Sequence, residues 1–293
     1  MTNMIRLWLL KIGAGRTAAL SCALGLLAVP ALAAGPEMVT FKASYAISIA
    51  GIGIGRADVE SRFIGNSYAA AITGSTNGVS RLVSDASARL AGNGRFFGNR
   101  VVPSAYNLET NENGFQTHVK MAMASGRITD VEALPRLLQT KDRVPVTPRH
   151  KIDVVDPLSA FLVPLDRPGV PSGRRACDRT VRVFDGWTRY DIQLYYKDTR
   201  AVDGGTDAYV GRVIVCGARY VPIAGHRTGN SDAMSSTRLE VWLAQLPDMP
   251  VLVPYRMQIG TDLGDLVIYS TRFTVDKAER RADAKVVSPA ASP

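Results

Sequence analysis

From Val39 to Ile49 apolar and polar residues alternate. Phe41, Ala43, Tyr45, Ile47 and Ile49 fall on one face, and Lys42, Ser44 and Ser48 on the other. A period of two predicts a half-buried β-strand. Arg56 to Phe63 alternates in the same way. Between them lies Ala50-Gly51-Ile52-Gly53-Ile54-Gly55. Glycines two apart leave one face of a strand bare, so that another backbone can approach closely. The pattern predicts a turn near Gly51 and a strand lined by Gly53 and Gly55. A dinucleotide-binding glycine loop would have to open a helix, but the residues that follow alternate as a strand, so phosphate binding is not expected at these glycines.

Further strands follow, with turn dipeptides between them. Asn77-Gly78 separates Tyr68–Thr76 from Val79–Leu90, and Asn113-Gly114 separates Ala105–Thr110 from Phe115–Met123. Asn-Gly suits a tight hairpin because both residues tolerate positive φ. Ser125-Gly126 precedes a strand at Arg127–Val131, and Asp185-Gly186 lies between Thr180–Phe184 and Thr188–Tyr195. Val210–Tyr220, Arg238–Leu243, Val253–Ile259 and Leu266–Val275 also read as strands, the last two flanking a turn at Asp262-Leu263-Gly264-Asp265. Many short strands with tight turns predict a mainly β fold: an antiparallel sheet that curls or closes.

One segment departs from this pattern. A basic, proline-containing connection, Lys141 to Ile152, leads into Val155-Asp156-Pro157-Leu158-Ser159-Ala160-Phe161-Leu162. Asp at the N-cap with Pro at the first helical position starts a helix, and Pro164 followed by Pro168-Gly169 stops it within about three turns. Leu158, Phe161 and Leu162 make it apolar on most sides, and such a helix is buried. The expectation is a short central helix, starting at Asp156, that plugs the concave face of the sheet against Gly51, Gly53 and Gly55.

The N-terminus adds a compartment. Arg6, Lys11 and Arg16 precede an apolar run from Thr17 to Val29, Pro30 breaks it, and Ala31-Leu32-Ala33 supplies small side chains. These are the three parts of a cleavable secretory signal, with cleavage between Ala33 and Ala34. The run is too short, and too interrupted by Gly25 and Pro30, for a spanning anchor. Leu20-Ser21-Cys22 resembles a lipidation site only faintly: the Leu such a site wants would stand where Ala19 is, and the apolar run continues beyond the cysteine. The expected organisation is a signal peptide at 1–33, one β-rich domain at 34–276 and a disordered tail at 277–293. Loss of three basic residues with the signal lowers the formal charge from +9 to +6. Such a mildly basic surface allows peripheral contact with anionic membrane. There is no basic cluster interleaved with aromatics, so nucleic acid is not an expected partner. Cys177 and Cys216 remain after export, and two cysteines in an oxidising compartment pair as a disulfide.

Catalytic signatures are sparse. His118, His150 and His226 form no metal-binding motif, and no G-x-S-x-G elbow is present. A triad could assemble only in space, from Ser159, His226 and an aspartate. Ser159 at the start of a helix is more simply a local hydrogen-bonder. Asp203 with Asp207, and Asp262 with Asp265, sit beside glycines as turn residues. No catalytic residue, metal site or cofactor is expected.

Several stretches resemble the proteobacterial exported family catalogued as domain of unknown function 3108. They are Tyr45 through Gly55-Arg56-Ala57, Asp156-Pro157-Leu158-Ser159-Ala160, Phe184-Asp185-Gly186 with Arg189-Tyr190-Asp191, Val215-Cys216, Pro222-Ile223-Ala224-Gly225, Val241-Trp242-Leu243-Ala244 and Val253-Pro254-Tyr255-Arg256. In architecture the chain also resembles the envelope integrity protein B group, with its open spiral barrel shaped like lipoprotein carriers. The resemblance implies location and fold, and it assigns no catalytic residue. The expected function is non-enzymatic: a periplasmic envelope protein that holds a lipid, another amphipathic ligand or an envelope protein partner in the concavity of its sheet. A hydrolase acting on envelope material is the alternative.

Overall fold

The structure is a computed structural model that describes residues 37–78, 84–138, 140–165, 173–230 and 238–278. The expected signal and its cleavage site lie outside these residues, as does most of the expected tail. The first half of the chain is a meander of β1 (Met38–Ile49), β2 (Ile52–Ile64), β3 (Ser67–Thr76), β4 (Ala86–Phe97), β5 (Arg100–Glu112), β6 (Phe115–Ala124) and β7 (Arg127–Leu134). A long connection holds the two-residue β8 (Val163–Pro164) and the short helix α1 (Gly173–Cys177). The second half is a meander of β9 (Arg179–Phe184), β10 (Arg189–Asp203), β11 (Val210–Ala224), β12 (Leu239–Gln245), β13 (Val251–Thr261) and β14 (Gly264–Ala278). β14 pairs antiparallel with β1 from Met38↔Ala278 to Ile49↔Leu266, so the two meanders fuse into one sheet with β7 and β9 as its outer strands.

These outer strands do not pair with each other, yet one short piece of chain touches both. Arg127 at the start of β7 bridges Ile152, and the Val154 N–H donates to the Gly126 carbonyl at 3.1 Å. One residue on, the Val155 N–H donates to the Arg182 carbonyl at 2.8 Å, and the Phe184 N–H donates back to the Val155 carbonyl at 3.0 Å. In a flat sheet, twelve strand spacings of about 4.8 Å would hold the edges roughly 58 Å apart. Four residues reach no further than about 14 Å. The sheet is therefore curled into a barrel whose seam is covered by residues 152–155.

The turns follow the sequence closely. Ala50-Gly51, Asn113-Gly114 and Ser125-Gly126 all have positive φ at both positions, the geometry of tight hairpins. Gly65 and Gly98, each followed by Asn, make two more turns that the sequence reading passed over. Asn77-Gly78 is different: β3 ends at Thr76 and β4 begins only at Ala86, so the strand expected over Val79–Leu90 is displaced toward the C-terminus. β14 runs to Ala278, with Lys277 opposite Val39, and so continues into the first residues of the expected tail.

The expected central helix is absent as a helix. Ser159–Phe161 forms a single 3₁₀ turn, and Leu162 is already extended at ψ 116°. Two forces end the helix early. The residue before a proline avoids the helical region, and Val163 precedes Pro164. Then Val163 and Pro164 pair with Leu252 and Val251 of β13, so the sheet captures the chain as β8. The plug nevertheless exists. Leu158 enters the core around Tyr106, Val119 and Met121. Leu162 enters the core around Phe41, Tyr45 and Phe63. Val163 enters the core around Ile214, Leu243 and Cys216. Phe161 does not take part: it is 39 % exposed.

α1 was not legible in the sequence, because a helix of one turn has no apolar period to read. It positions Cys177, which forms the expected disulfide with Cys216 of β11 at a Cα–Cα distance of 5.5 Å. Both cysteines are buried, so the bridge ties the long connection to the sheet interior.

Candidate functional site

The Asp156-Pro157-Leu158-Ser159 segment is held by its own polar groups. The Asp156 carboxylate accepts from the N–H groups of Leu158 at 3.0 Å and Ser159 at 2.9 Å. Its other oxygen accepts from the Ser159 hydroxyl at 2.5 Å. Ser159 Oγ in turn lies 2.6 Å from the Tyr68 hydroxyl of β3. Asp156 and Ser159 have no exposed surface. Burial pushes the Asp156 carboxyl above the ordinary range, against the pull of these hydrogen bonds. Burial also raises the Tyr68 hydroxyl, opposed by the Ser159 bond and reinforced by the nearby Asp156 charge. These three donors offset part of the cost of burying the group.

Space for this network comes from β4. Its inward positions run Ala88, Leu90, Gly92, Gly94, Phe96. A Cβ on Gly92 would stand 3.3 Å from Leu158 Cδ2 and 3.2 Å from the Ala105 carbonyl oxygen. A Cβ on Gly94 would stand 2.7 Å from the Tyr68 hydroxyl and 2.5 Å from the Val102 carbonyl oxygen. The glycines that admit the plug are therefore Gly92 and Gly94, not the expected trio. Gly51 and Gly53 are exposed at a hairpin tip, with open space where a Cβ would go. Gly55 is buried, but the group near it is the Ser75 carbonyl of β3 at 2.9 Å, a strand backbone and not the plug. A helix cannot be steered to exposed glycines that face solvent, and the sequence alone did not show which glycines face inward.

An open cleft of about 990 Å³ lies at one mouth of the barrel. It is bounded by the β4–β5 turn, the seam at Asp153–Val155, the plug at Ser159–Pro164 and the start of β9. Its apolar lining includes Phe96, Val101, Ala160, Leu162 and Val163, and its charged lining consists of Arg95, Arg100, Arg175, Arg179 and Arg182 with Asp153 and Asp178. Asp153 bridges Arg100 at 2.9 Å and Arg182 at 2.5 Å, linking β5 to β9 across the seam. Phe97 stands at the rim, 80 % exposed. Of the residues expected at a groove or plug, Ser159 and Leu162 line this cleft; the arginines were not anticipated, because they are scattered over some ninety residues and only the curl collects them.

A second cavity of about 470 Å³ lies toward the other end of β9. Arg143, Asp185, Thr188, Tyr190, Tyr220, His226 and Arg227 line it. The Tyr190 and Tyr220 rings stack at 4.9 Å. Burial, then the Asp185 charge, pushes the Tyr220 hydroxyl up to about 12. The fold does not bring Ser159 to His226: they line different cavities, and Asp156 and Tyr68 already engage the Ser159 hydroxyl. His150 is bonded within its own turn, to the Thr147 N–H at 3.1 Å, and His118 lies on β6.

Comparison with known proteins adds a family and a neighbour. No curated protein matches the chain. Among solved structures, a crystal structure of a beta-barrel-like protein of domain of unknown function DUF1849 from Brucella abortus superimposes with a TM-score of 0.49 at 11 % identity, covering 81 % of this chain and 98 % of that one. The profile of the family described as protein of unknown function DUF3108 matches residues 40–271, a span that runs from β1 into β14 and takes in the plug, the seam and the cleft. The chain belongs to the DUF3108 family.

Proposed function

We propose that this protein is exported to the periplasm, serves the cell envelope without catalysing a reaction, and holds an amphipathic ligand in the cleft at the barrel mouth. The observation that carries this reading is the two-sided lining: Leu162, Val163 and Val101 offer an apolar wall, and five arginines surround it. A site with apolar walls and a few convergent polar groups is the usual form of a small-molecule pocket. Binding is favoured over hydrolysis because Ser159, the serine of the plug, has no exposed surface and a hydroxyl engaged by Asp156 and Tyr68.

Native mass spectrometry on protein isolated from intact envelopes tests the reading. The expected result is an adduct of lipid mass that is lost in Ala160→Trp, where the indole fills the cleft, while the melting temperature stays close to wild type. Protein with no adduct, and with no affinity for a fluorescent acyl probe, overturns it.

A further inference from the structure

Among the described residues that line the cleft, arginines outnumber acids: five arginines face Asp153 and Asp178. Asp153 is spent on Arg100 and Arg182 together, holding their guanidinium groups on opposite sides of the seam. Arg179 donates toward the Pro164 and Arg175 carbonyls. Arg95 and Arg175 have no acidic partner among the described residues. Among the described residues, Arg95 and Arg175 thus stand as cations beside an apolar wall.

We propose that the cleft selects an amphiphile whose head group is a phosphate, with Arg95 and Arg175 as its principal contacts and the chain along Val101, Leu162 and Val163. This inference rests on reading the cleft as an amphiphile site. A carboxylate head would bring one negative charge, whereas a phosphomonoester brings about 1.5 to 2 at neutral pH and offers three strong acceptor oxygens. Guanidinium forks match phosphate oxygens two at a time, which a point charge cannot do. The same phosphate chemistry could come from a lipid or from the free ion, and the apolar wall favours the lipid.

Calorimetric titration of protein purified from cells expressing the full chain separates these cases. The probes are dodecyl phosphate and dodecanoate, each below its micelle-forming concentration, and inorganic phosphate. Dodecyl phosphate is expected to bind about tenfold or more tightly than dodecanoate, in line with the stronger charge-assisted pairing. The double variant Arg95→Gln/Arg175→Gln should remove that preference, weakening dodecyl phosphate more than dodecanoate. Both positions are exposed, so the fold should survive, and an unaltered melt checks it. Arg272→Gln, exposed on β14 and away from the cleft, removes a charge without this effect. Equal affinity for the two dodecyl compounds overturns the phosphate head group while leaving the amphiphile site standing. Binding of neither overturns both. Inorganic phosphate binding as tightly as dodecyl phosphate keeps the phosphate contacts and overturns the amphiphile.

Discussion

Leu158 packs directly onto Gly92: a β-carbon on the glycine would lie 3.3 Å from the leucine Cδ2. Replacing Gly92 by valine should overpack this contact and the Ala105 carbonyl beside it, destabilising the protein by about 1–3 kcal/mol. Gly53→Val, with nothing within 4 Å of the added carbon, should stay within about 0.5 kcal/mol of wild type. The contact also predicts coupling. Leu158→Ala should relieve part of the Gly92→Val penalty, giving a non-additive double variant by roughly 0.5–3 kcal/mol. Urea melts of wild type, the three single variants and the double variant measure all three quantities. Equal sensitivity at Gly53 and Gly92 would mean that the plug sits elsewhere.

The two apolar residues that close the 3₁₀ turn should behave oppositely. Leu162 is buried in the core with Phe41, Tyr45 and Phe63, so Leu162→Ala should cost about 2–5 kcal/mol. Phe161, over a third exposed, should lose little on the same change, about 1 kcal/mol or less. A Phe161→Ala variant as unstable as Leu162→Ala would contradict the observed turn.

The Cys177–Cys216 bridge spans 39 residues. In the chain-entropy account, closing a loop of that size stabilises the folded state by roughly 4 kcal/mol. Reduction, or the paired change to serine, should lower stability by about that amount, and denatured, unreduced protein should show no free thiol. Two titratable thiols in material from the native compartment would exclude the bridge there.

Export carries its own check. Protein recovered from the periplasm should begin at Ala34, after the Ala31-Leu32-Ala33 site. A sequence starting at Met1, or a lipid-modified Cys22, would contradict cleavage at Ala33.

What the sequence disclosed and what it hid divide along local and global information. The hairpins at Ala50-Gly51, Asn113-Gly114 and Ser125-Gly126 were readable because each contains a glycine, which takes positive φ at no steric cost. Gly65-Asn66 and Gly98-Asn99 carry a related signal in reversed order. The fate of Asp156–Leu162 was not readable. Its cap and apolar residues specify a buried turn, but only the edge of β13, ninety residues away, decides that Val163 becomes a strand and Phe161 turns outward. The inner glycines were hidden for a similar reason. Gly92 and Gly94 look no different from Gly53 and Gly55 until the curl of the sheet determines which face is inside. The arginine cleft gathers residues from β4, β5, α1 and β9, and no local pattern links them.

Asp156 should make the stability of this protein depend on pH in an unusual direction. Its folded carboxyl is raised, chiefly by desolvation, above the value it has in the unfolded chain. In the window between the ordinary aspartate value, about 3.9, and the raised folded value, the folded state therefore holds more protons than the unfolded state. Stability from this group is fully present below that window and is lost as pH rises through the folded value, the reverse of a salt-bridged aspartate. Asp156→Asn removes the titration. It keeps one oxygen to accept from Leu158 and Ser159, and its amide can donate to the Ser159 hydroxyl, which then donates to Tyr68. The stability difference, wild type minus variant, should accordingly grow as pH is lowered through the window and shrink toward neutral pH. Denaturant melts of both proteins at closely spaced pH values give that difference directly. A difference that is flat with pH would mean that the hydrogen bonds to the carboxylate fully offset its burial, and one that shrinks toward acid would mean that they more than offset it.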